Sequence, residues 1–122
     1  MRKPPHPIWI EDVPIYRQLM GLLVVRILDK IYLEGEMLPS VRQLAQDCDI
    51  NPLTVAKAYK ELAREGFTER HRGEGLMLRK GVRDILLRSE KSRFMKDEWP
   101  LLRSRLKRLG IDFRTLAEMF ND

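Results

Sequence analysis

The chain has 122 residues, enough for one ordinary domain or for one small domain with an accessory segment, and too few for a large enzyme with a separate cofactor domain. A content of 43% hydrophobic and 34% charged residues excludes disorder as the main state. The net charge of +5 favours an anionic partner, yet residues 1–80 hold 13 basic and 11 acidic residues against 10 and 7 afterwards, so bulk charge marks no single region.

The first part of the sequence predicts an arm followed by a helix. Residues 1–12 are rich in proline and predict a mobile arm, in which Ile8, Trp9 and Ile10 could add a short edge strand. Pro14 suits the first turn of a helix because it has no N–H to leave unpaired there. Apolar residues then recur at helical spacing, which predicts a first helix over about residues 14–32.

Two shorter helices are predicted next, each with its own start signal. Ser40 and Gln43 form a capping box, in which the hydroxyl accepts from a first-turn N–H and the amide reaches back. Asn51 can cap a third helix whose first residue is Pro52. The lone cysteine, Cys48, falls among the apolar positions of the second helix, and we assign it to packing.

A hairpin is predicted after Gly66, which is a natural left-handed end for the third helix. Residues 67–70 and 76–79 are short strand candidates, and the glycines within residues 71–75 permit the positive φ of a tight tip. Two short helices followed by a small β-wing are the outline of a winged helix-turn-helix, which we expect over residues 13–80.

Residues 81–122 predict a short helical segment. A helix is expected to run to about Glu98, and a kink or break is expected near Trp99 because Pro100 removes a backbone hydrogen bond. Asp112 can cap a last helix. The predicted fold class is therefore mostly α with a small β-wing: an N-terminal winged helix-turn-helix plus a short C-terminal helical dimerisation segment.

The start of the third helix is the candidate for reading DNA, because that part of a helix-turn-helix enters the major groove. Its outward residues are Asn51, Leu53, Thr54 and Lys57. Asparagine can pair with adenine, threonine can reach a base or phosphate, lysine can hold a phosphate and leucine can touch a thymine methyl. The alternative is that Asn51 is only a cap and Lys57 only a solvated charge, although cap and contact do not exclude each other.

Further DNA contacts are predicted at the neighbouring helix start and in the wing. Ser40 and Arg42 begin the second helix, where backbone N–H groups also favour an anion. His71 and Arg72 stand at a glycine-framed tip that could enter a minor groove or clasp a backbone. Exposed basic residues are often merely solvated, and a tip of this kind is by itself a common hairpin. It indicates DNA binding here because it follows the two predicted helices.

The C-terminal segment has more apolar surface than its short helices can bury among themselves. Because useful specificity over a genome usually needs two half-sites, we expect this surface to form a symmetric homodimer on an imperfect palindrome. A basic run at Arg103, Arg105, Lys107 and Arg108 is explained by the wet face of a helix, with a second DNA contact or a partner surface as the alternative. The predicted interface residues are Ile85, Leu86, Phe94, Trp99, Leu102, Leu106, Leu109, Phe113, Leu116 and Phe120.

The combined motifs resemble the DNA-binding domain of the GntR family of bacterial transcription regulators. They are PIYRQL at residues 14–19, LPSVRQLA at 38–45, NPLTVAKAYKEL at 51–62, EGF at 65–67 and RGEG at 72–75. The short tail and its residues 108–111 resemble the YtrA-like branch. That resemblance implies a small helical dimerisation unit without a large sensory domain.

The resemblance also implies DNA contacts by four residues at the family's contact positions: Arg42, Thr54, Arg72 and Gly73. Gly75 belongs to the same wing motif and joins the predicted DNA-binding set. Relatives often have a polar or basic residue where Leu53 stands, and some make arginine contacts from the position of Ala56. The resemblance therefore does not imply a particular operator sequence.

Nothing in the sequence points to catalysis, to a cofactor or to a metal. The two histidines, His6 and His71, are too few and too far apart in sequence for a metal site by themselves. There is no nucleophile–histidine arrangement and no phosphate-cradling glycine loop. We expect no enzyme, no cofactor and no metal.

The expected partners are a double-stranded DNA operator, a second copy of the chain and, unidentified, a small-molecule effector at the dimer interface. We expect repression, because a compact dimer on a promoter blocks polymerase. The rival interpretation is a winged domain that binds proteins. The longest apolar run, residues 22–25, is far too short for a membrane span and no signal peptide is predicted, so the expected location is the cytoplasm.

Overall fold

The computed structural model describes residues 7–121, so the first six residues of the predicted arm lie outside it. Over that range the chain is mostly helical with one two-stranded antiparallel sheet, which confirms the predicted fold class. A π-helical turn, Phe94–Glu98, separates the fourth and fifth helices. The regular elements are α1 Ile15–Leu28, α2 Val41–Cys48, α3 Pro52–Arg64, β1 Thr68–His71, β2 Gly75–Leu78, α4 Val82–Arg93, α5 Trp99–Arg108 and α6 Phe113–Phe120.

The first helix ends at Leu28, earlier than the predicted residue 32. Lys30 adopts the left-handed conformation with φ at 60°, which turns the chain out of the helix. The N–H group of Ile31 then donates to the carbonyl oxygen of Arg26 at 2.8 Å and closes the helix end. Ile31, which continues the apolar periodicity past this point, is half-buried although it lies outside the helix.

The segment before α1 is irregular, and the edge strand predicted for residues 8–10 was wrong. The side chain of Gln18 occupies both backbone groups of Ile10: the N–H of Ile10 donates to Oε1, and Nε2 donates to the Ile10 carbonyl, each at 2.9 Å. Ladder pairing is therefore blocked at this residue. The indole N–H of Trp9 donates to the carbonyl oxygen of Cys48 at 3.3 Å and ties the segment to the end of α2.

Both predicted helix caps of the helix-turn-helix are present. The hydroxyl of Ser40 accepts from the backbone N–H of Gln43 at 3.0 Å, and Oδ1 of Asn51 accepts from the N–H of Leu53 at 2.9 Å. The second half of the capping box was predicted wrongly. The Gln43 amide donates forward to Asp47 at 2.9 Å, because residues four apart lie on the same face of a helix.

The wing is a hairpin displaced by one residue from the predicted strands. Thr68 pairs with Leu78 at its base, and His71 pairs with Gly75 at its outer end. His71 and Gly75 are therefore strand residues, and the tip consists of residues 72–74. Gly75 has a φ of 111°, and this backbone conformation favours glycine at the start of β2.

A third extended segment, which the sequence patterns did not indicate, lines the free edge of β2. The N–H of Leu38 donates to the carbonyl of Leu76 at 2.8 Å, and the N–H of Leu78 donates to the carbonyl of Glu36 at 3.0 Å. Met37 forms a β-bridge with Met77 between these bonds. The base of the wing is thus held by the link between α1 and α2 as well as by its own hairpin.

One apolar core joins α1, α2, α3, β2 and the start of α4. Cys48 is buried in it, which agrees with its assignment to packing, and burial raises the pKa of its thiol. Among the charged side chains described, Arg26 is buried here, and its Nη1 donates to the hydroxyl of Tyr32 at 2.7 Å. The fully buried larger side chains are Leu19, Leu23, Ile27, Leu44, Val55, Leu62, Leu78 and Val82.

The start of α4 is fixed by a side chain from far away in the sequence. A carboxylate oxygen of Glu34 accepts from the backbone N–H of Arg83 at 2.8 Å, which supplies a partner for a first-turn N–H group. The backbone N–H groups of Arg83 and Gly81 lower the pKa of Glu34. The guanidinium of Arg83 donates back to the carbonyl of Leu28 at 3.1 Å.

The described chain divides into two compact units, one ending at Leu86 and the other beginning at Leu87. Leu86 is only 7% exposed and packs in the core of the first unit, so it is not available to a partner chain. This corrects its sequence assignment to the dimer interface. Within residues 87–121 no residue is buried, although the helices there contain many apolar side chains.

The helix irregularity expected near Trp99 lies just before that residue. The chain stays helical and widens into the π-helical turn over residues 94–98, and α5 begins at Trp99. Pro100 is the second residue of α5 and directly follows the π-helical turn, so the irregularity lies where proline removes a helical hydrogen bond. Asp112 caps α6 as predicted, with Oδ1 accepting from the N–H of Thr115 at 2.9 Å.

Candidate nucleic-acid interface

The start of α3 presents polar and apolar groups to the outside. Leu53 is 77% exposed, Lys57 is exposed and Thr54 is half-buried one turn before Lys57. Asn51 uses Oδ1 for the cap, which leaves its Nδ2 amide group as the donor for an outside partner. The cap interpretation of Asn51 is therefore confirmed, and a contact through the amide remains compatible with it.

The start of α2 is joined to α3 by a partly buried hydrogen bond. The hydroxyl of Tyr59 donates to the carbonyl oxygen of Pro39 at 2.6 Å, directly before the cap residue Ser40. Burial raises the pKa of Tyr59 strongly, so this phenol keeps its proton. Arg42, the second residue of α2, is exposed on this anchored helix start.

The wing tip is a tight turn that exposes Arg72. The N–H of Glu74 donates to the carbonyl of His71 at 2.9 Å, and Gly73 between them has a φ of 78°. His71 lies one residue before the tip rather than on it, and its Nε2 is 3.9 Å from a carboxylate oxygen of Glu69. Of the two basic residues predicted at the tip, only Arg72 is placed there.

A groove of about 800 Å³ runs between α3 and the wing, and we call it the α3–wing groove. Its walls are the start of α2 with Ser40, one side of α3, β1 and the wing tip with Gly73 and Gly75. The other predicted contact residues do not line it; they are Arg42, Asn51, Leu53, Thr54 and Lys57. Arg72, which was predicted from the sequence, lines the groove. Lys60 and Arg70 line it as well, and neither was predicted. The signals were present, since Lys60 follows Lys57 by three residues on one helix face and Arg70 alternates with Glu69 along β1.

The interface has the chemistry of a binding surface rather than of a reaction centre. Basic side chains from α3, β1 and the tip line one groove, and a phosphate backbone is the anion that suits such a surface. Across residues 7–121, no three His, Cys, Asp or Glu side chains come together in a way that could hold a metal ion.

The predicted dimer residues of the tail are mostly exposed. Phe113 is 83% exposed and Phe120 is 89% exposed, and Ile85, Phe94, Leu102 and Leu109 are exposed as well. Trp99, Leu106 and Leu116 are half-buried. The prediction did not include three further exposed apolar residues, which are Met95, Leu101 and Met119.

Comparison with known proteins identifies the family. The model of the bacterial regulatory proteins of the gntR family matches residues 15–78, which span the helices, the wing and the interface described above. The chain belongs to the GntR family. A relative in Bacillus subtilis, the HTH-type transcriptional repressor YtrA, is 37% identical over 101 residues, which cover 83% of this chain and 72% of that protein.

Solved structures of GntR regulators have the same fold over almost the whole chain. A GntR family transcriptional regulator from Listeria monocytogenes is 25% identical with a TM-score of 0.72, covering 93% of this chain and 97% of that one. YtrA from Sulfolobus acidocaldarius, a GntR-family transcription factor, is 26% identical with a TM-score of 0.53, covering 93% of both chains. The winged helix-turn-helix is thus the GntR fold, and the YtrA-like resemblance is confirmed.

These relatives are regulators, so this GntR protein is a transcription regulator and not an enzyme. Among the residues that the structure describes, no helix is both long enough and apolar enough to cross a bilayer.

Proposed function

We propose that this GntR protein is a sequence-specific DNA-binding regulator, a homodimeric repressor that binds an imperfect palindromic operator in the cytoplasm. The observation that carries the proposal is the basic α3–wing groove next to the exposed start of α3: Lys60, Arg70 and Arg72 line the groove, and Leu53 and Lys57 are exposed on the same helix. A double helix offers phosphates to such basic side chains and base edges to a helix start in its major groove. The name of the relative YtrA, a transcriptional repressor, supports repression.

The proposed DNA contacts are of two kinds, contacts to base edges and contacts to the phosphate backbone. Thr54 and the amide of Asn51, at the start of α3, meet base edges, and Leu53 meets a thymine methyl. Arg42 and Lys57 hold phosphates beside the major groove. At the wing, Arg72 clasps the backbone, and the backbone of Gly73 and Gly75 approaches it closely because neither residue has a side chain in the way. Ser40 caps the start of α2, next to the proposed contact of Arg42. His71, the last residue of β1, lies directly before the wing tip.

The exposed apolar surface of the C-terminal segment is the proposed contact with a second copy of the chain. No residue of the second unit is buried within residues 87–121, whereas its exposed apolar residues include Phe113 and Phe120. A helical unit with so much apolar surface requires a partner surface, and a second copy supplies the same faces by two-fold symmetry. A small-molecule effector would bind at this interface. The residues of the proposed interface are Ile85, Phe94, Trp99, Leu102, Leu106, Leu109, Phe113, Leu116 and Phe120.

A salt series of DNA titrations tests the DNA-binding proposal. The probe is a duplex selected from random-sequence DNA by the wild-type protein. Each phosphate contact contributes about 0.9 to the slope of log affinity against log salt, so Arg72→Ala should weaken all sequences and reduce that slope. Thr54→Ala should weaken the selected duplex more than random duplex, because its contact is with base edges.

Arg64→Ala is the matched control on α3. Arg64 is exposed at the far end of the helix and pairs only with Glu61, at 3.5 Å, among the contacts described. Its replacement should leave affinity and salt slope unchanged. Weak, salt-independent binding by the wild type would contradict DNA binding and favour the alternative, a winged module that binds proteins.

Sedimentation tests the dimer separately. The wild type should sediment as a dimer at tens of micromolar, and the double variant Phe113→Glu/Phe120→Glu should sediment as a folded monomer because each charge would have to be desolvated in the interface. A monomeric wild type would contradict the dimer proposal. A double variant that remains dimeric would remove α6 from the proposed interface.

A further inference from the structure

Lys57 rests on an aromatic ring from another helix. Its ammonium nitrogen lies 3.9 Å from the centroid of the Tyr16 ring, well inside the distance of about 6 Å at which a cation is attracted to a π-face. The pair joins α1 to α3, since Tyr16 is the second residue of α1. A second such pair within residues 7–121, Arg26 over Tyr32, is looser at 5.8 Å.

The helix start that carries the ring of Tyr16 is firmly held. Helices α1 and α3 pack directly on each other through buried residues that include Leu19 and Leu23 of α1, so the start of α1 cannot move independently of α3. Gln18 fastens the same start to the preceding segment, with its Nε2 donating to the carbonyls of Ile10 and Val13, each at 2.9 Å. The backbone that carries the ring is therefore fixed relative to α3 and to the preceding segment.

Lys57 lies on the face of α3 that we propose for DNA binding. It follows Thr54 by three residues and Leu53 by four, and residues at these spacings are neighbours on a helix surface. A free lysine at such a position would sample many rotamers and would lose that freedom when it bound a phosphate. A lysine already held on a ring loses less.

We propose that Tyr16 is a positioning residue for DNA binding, one that holds the ammonium of Lys57 where a backbone phosphate accepts from it. This inference rests on the proposed DNA-binding function. The ring occupies only one side of the ammonium, which has three rotatable N–H donors and can therefore also donate to a phosphate. The contact therefore persists in the complex, and Tyr16 strengthens binding without touching DNA.

Four variants separate positioning from a structural role: Tyr16→Leu, Tyr16→Phe, Lys57→Ala and the double variant Tyr16→Leu/Lys57→Ala. Affinities for the duplex selected by the wild type are measured over a salt series. The cost of ordering a free lysine side chain on binding corresponds to about a twofold to tenfold weakening per half-site for Tyr16→Leu. Tyr16→Phe keeps the ring and should bind like the wild type.

The double variant gives the decisive comparison. Lys57→Ala should reduce the salt slope by about 0.9 per half-site, since one phosphate contact is lost. Tyr16→Leu should have no further effect on affinity in the Lys57→Ala background, because it acts only through Lys57. A weakening of the same size in both backgrounds would mean that Tyr16 acts through the fold, and the inference would be overturned.

NMR reports on the contact without DNA. The ε-methylene protons of Lys57 should be shifted upfield by the ring current in the wild type and in Tyr16→Phe, and should return to the ordinary lysine position in Tyr16→Leu. Absence of the shift in the wild type would overturn the inference.

The sign of the affinity change distinguishes positioning from competition. If Lys57 had to leave the ring to reach DNA, Tyr16→Leu would bind as well as the wild type or more tightly, and the inference alone would fail. A wild type with no salt-dependent DNA binding would instead defeat the proposed function, and the inference with it.

Discussion

Replacing Tyr59 by phenylalanine tests the hydrogen bond that joins α2 to α3 in the helix-turn-helix. Tyr59 is buried in the core, and its hydroxyl donates to the carbonyl oxygen of Pro39 at 2.6 Å. The variant keeps the ring and its packing and removes only this bond. Because Pro39 stands directly before the cap of α2, the same bond fixes the position of Arg42 relative to α3.

The magnitude follows from the burial of the two partners. A typical hydrogen bond contributes about 0.5–1.5 kcal/mol net to stability. The bond is short, but Pro39 is only half-buried, so water can reach the carbonyl when the hydroxyl is gone. We expect the free energy of unfolding to fall by about 1–1.5 kcal/mol, which lowers the melting temperature of a domain of this size by roughly 4–12 °C.

Denaturant titration and thermal melting measure the loss, with Tyr16→Phe as the matched control. The hydroxyl of Tyr16 makes no hydrogen bond among those described, and its removal should leave stability within a few tenths of a kcal/mol of the wild type. Tyr59→Phe should also weaken DNA binding, since the start of α2 is no longer held. Equal stability of Tyr59→Phe and the wild type would refute the reasoning.

Three other predictions concern single hydrogen bonds. Tyr32→Phe should cost about 1–3 kcal/mol, because the buried guanidinium of Arg26 loses the hydroxyl that accepts from it, whereas Arg26→Met should stay close to the wild type. A reversed order in denaturant titrations would contradict this. Trp9→Phe should cost about 0.5–1 kcal/mol, because it removes the donor to the last carbonyl of α2, and unchanged denaturant midpoints would count against it. The pKa of Glu34 is lowered from 4.5 by backbone N–H groups, so its carboxylate stabilises the fold above that pH and the stabilisation is lost as the pH falls through the lower folded pKa. The wild type should therefore be more stable than Glu34→Gln at neutral pH and equal to it in acid, and a constant difference across the pH range would exclude the mechanism.

Local features of the fold were predictable from the sequence. The caps at Ser40, Asn51 and Asp112 each accept from a backbone N–H two or three residues away. Residue type and spacing are therefore enough to predict these hydrogen bonds. Gly66 has the left-handed φ of 80° expected of a helix end. The candidate interface followed from these elements, because the order of helices and hairpin determines which surfaces share a groove.

Contacts between distant segments were not predictable. The pairing of residues 35–38 with β2 and the cation–π contact of Lys57 join residues far apart in the sequence, and hydrophobic periodicity does not identify such partners. Leu86 illustrates the same limit. Its place in an apolar stripe indicated burial but did not indicate whether its own domain or a second chain would cover it.

The extended segment at residues 35–38 fixes the base of the wing hairpin independently of its tip. Its hydrogen bonds to Leu76 and Leu78 hold the root of the hairpin from the side opposite β1, so the hairpin does not depend on its tip for its orientation. Residues 72–74 can then be lengthened, shortened or exchanged for those of another family member while the root stays in place. Exchange of this loop alone can therefore change the proposed backbone contact of the wing, at little risk to the fold.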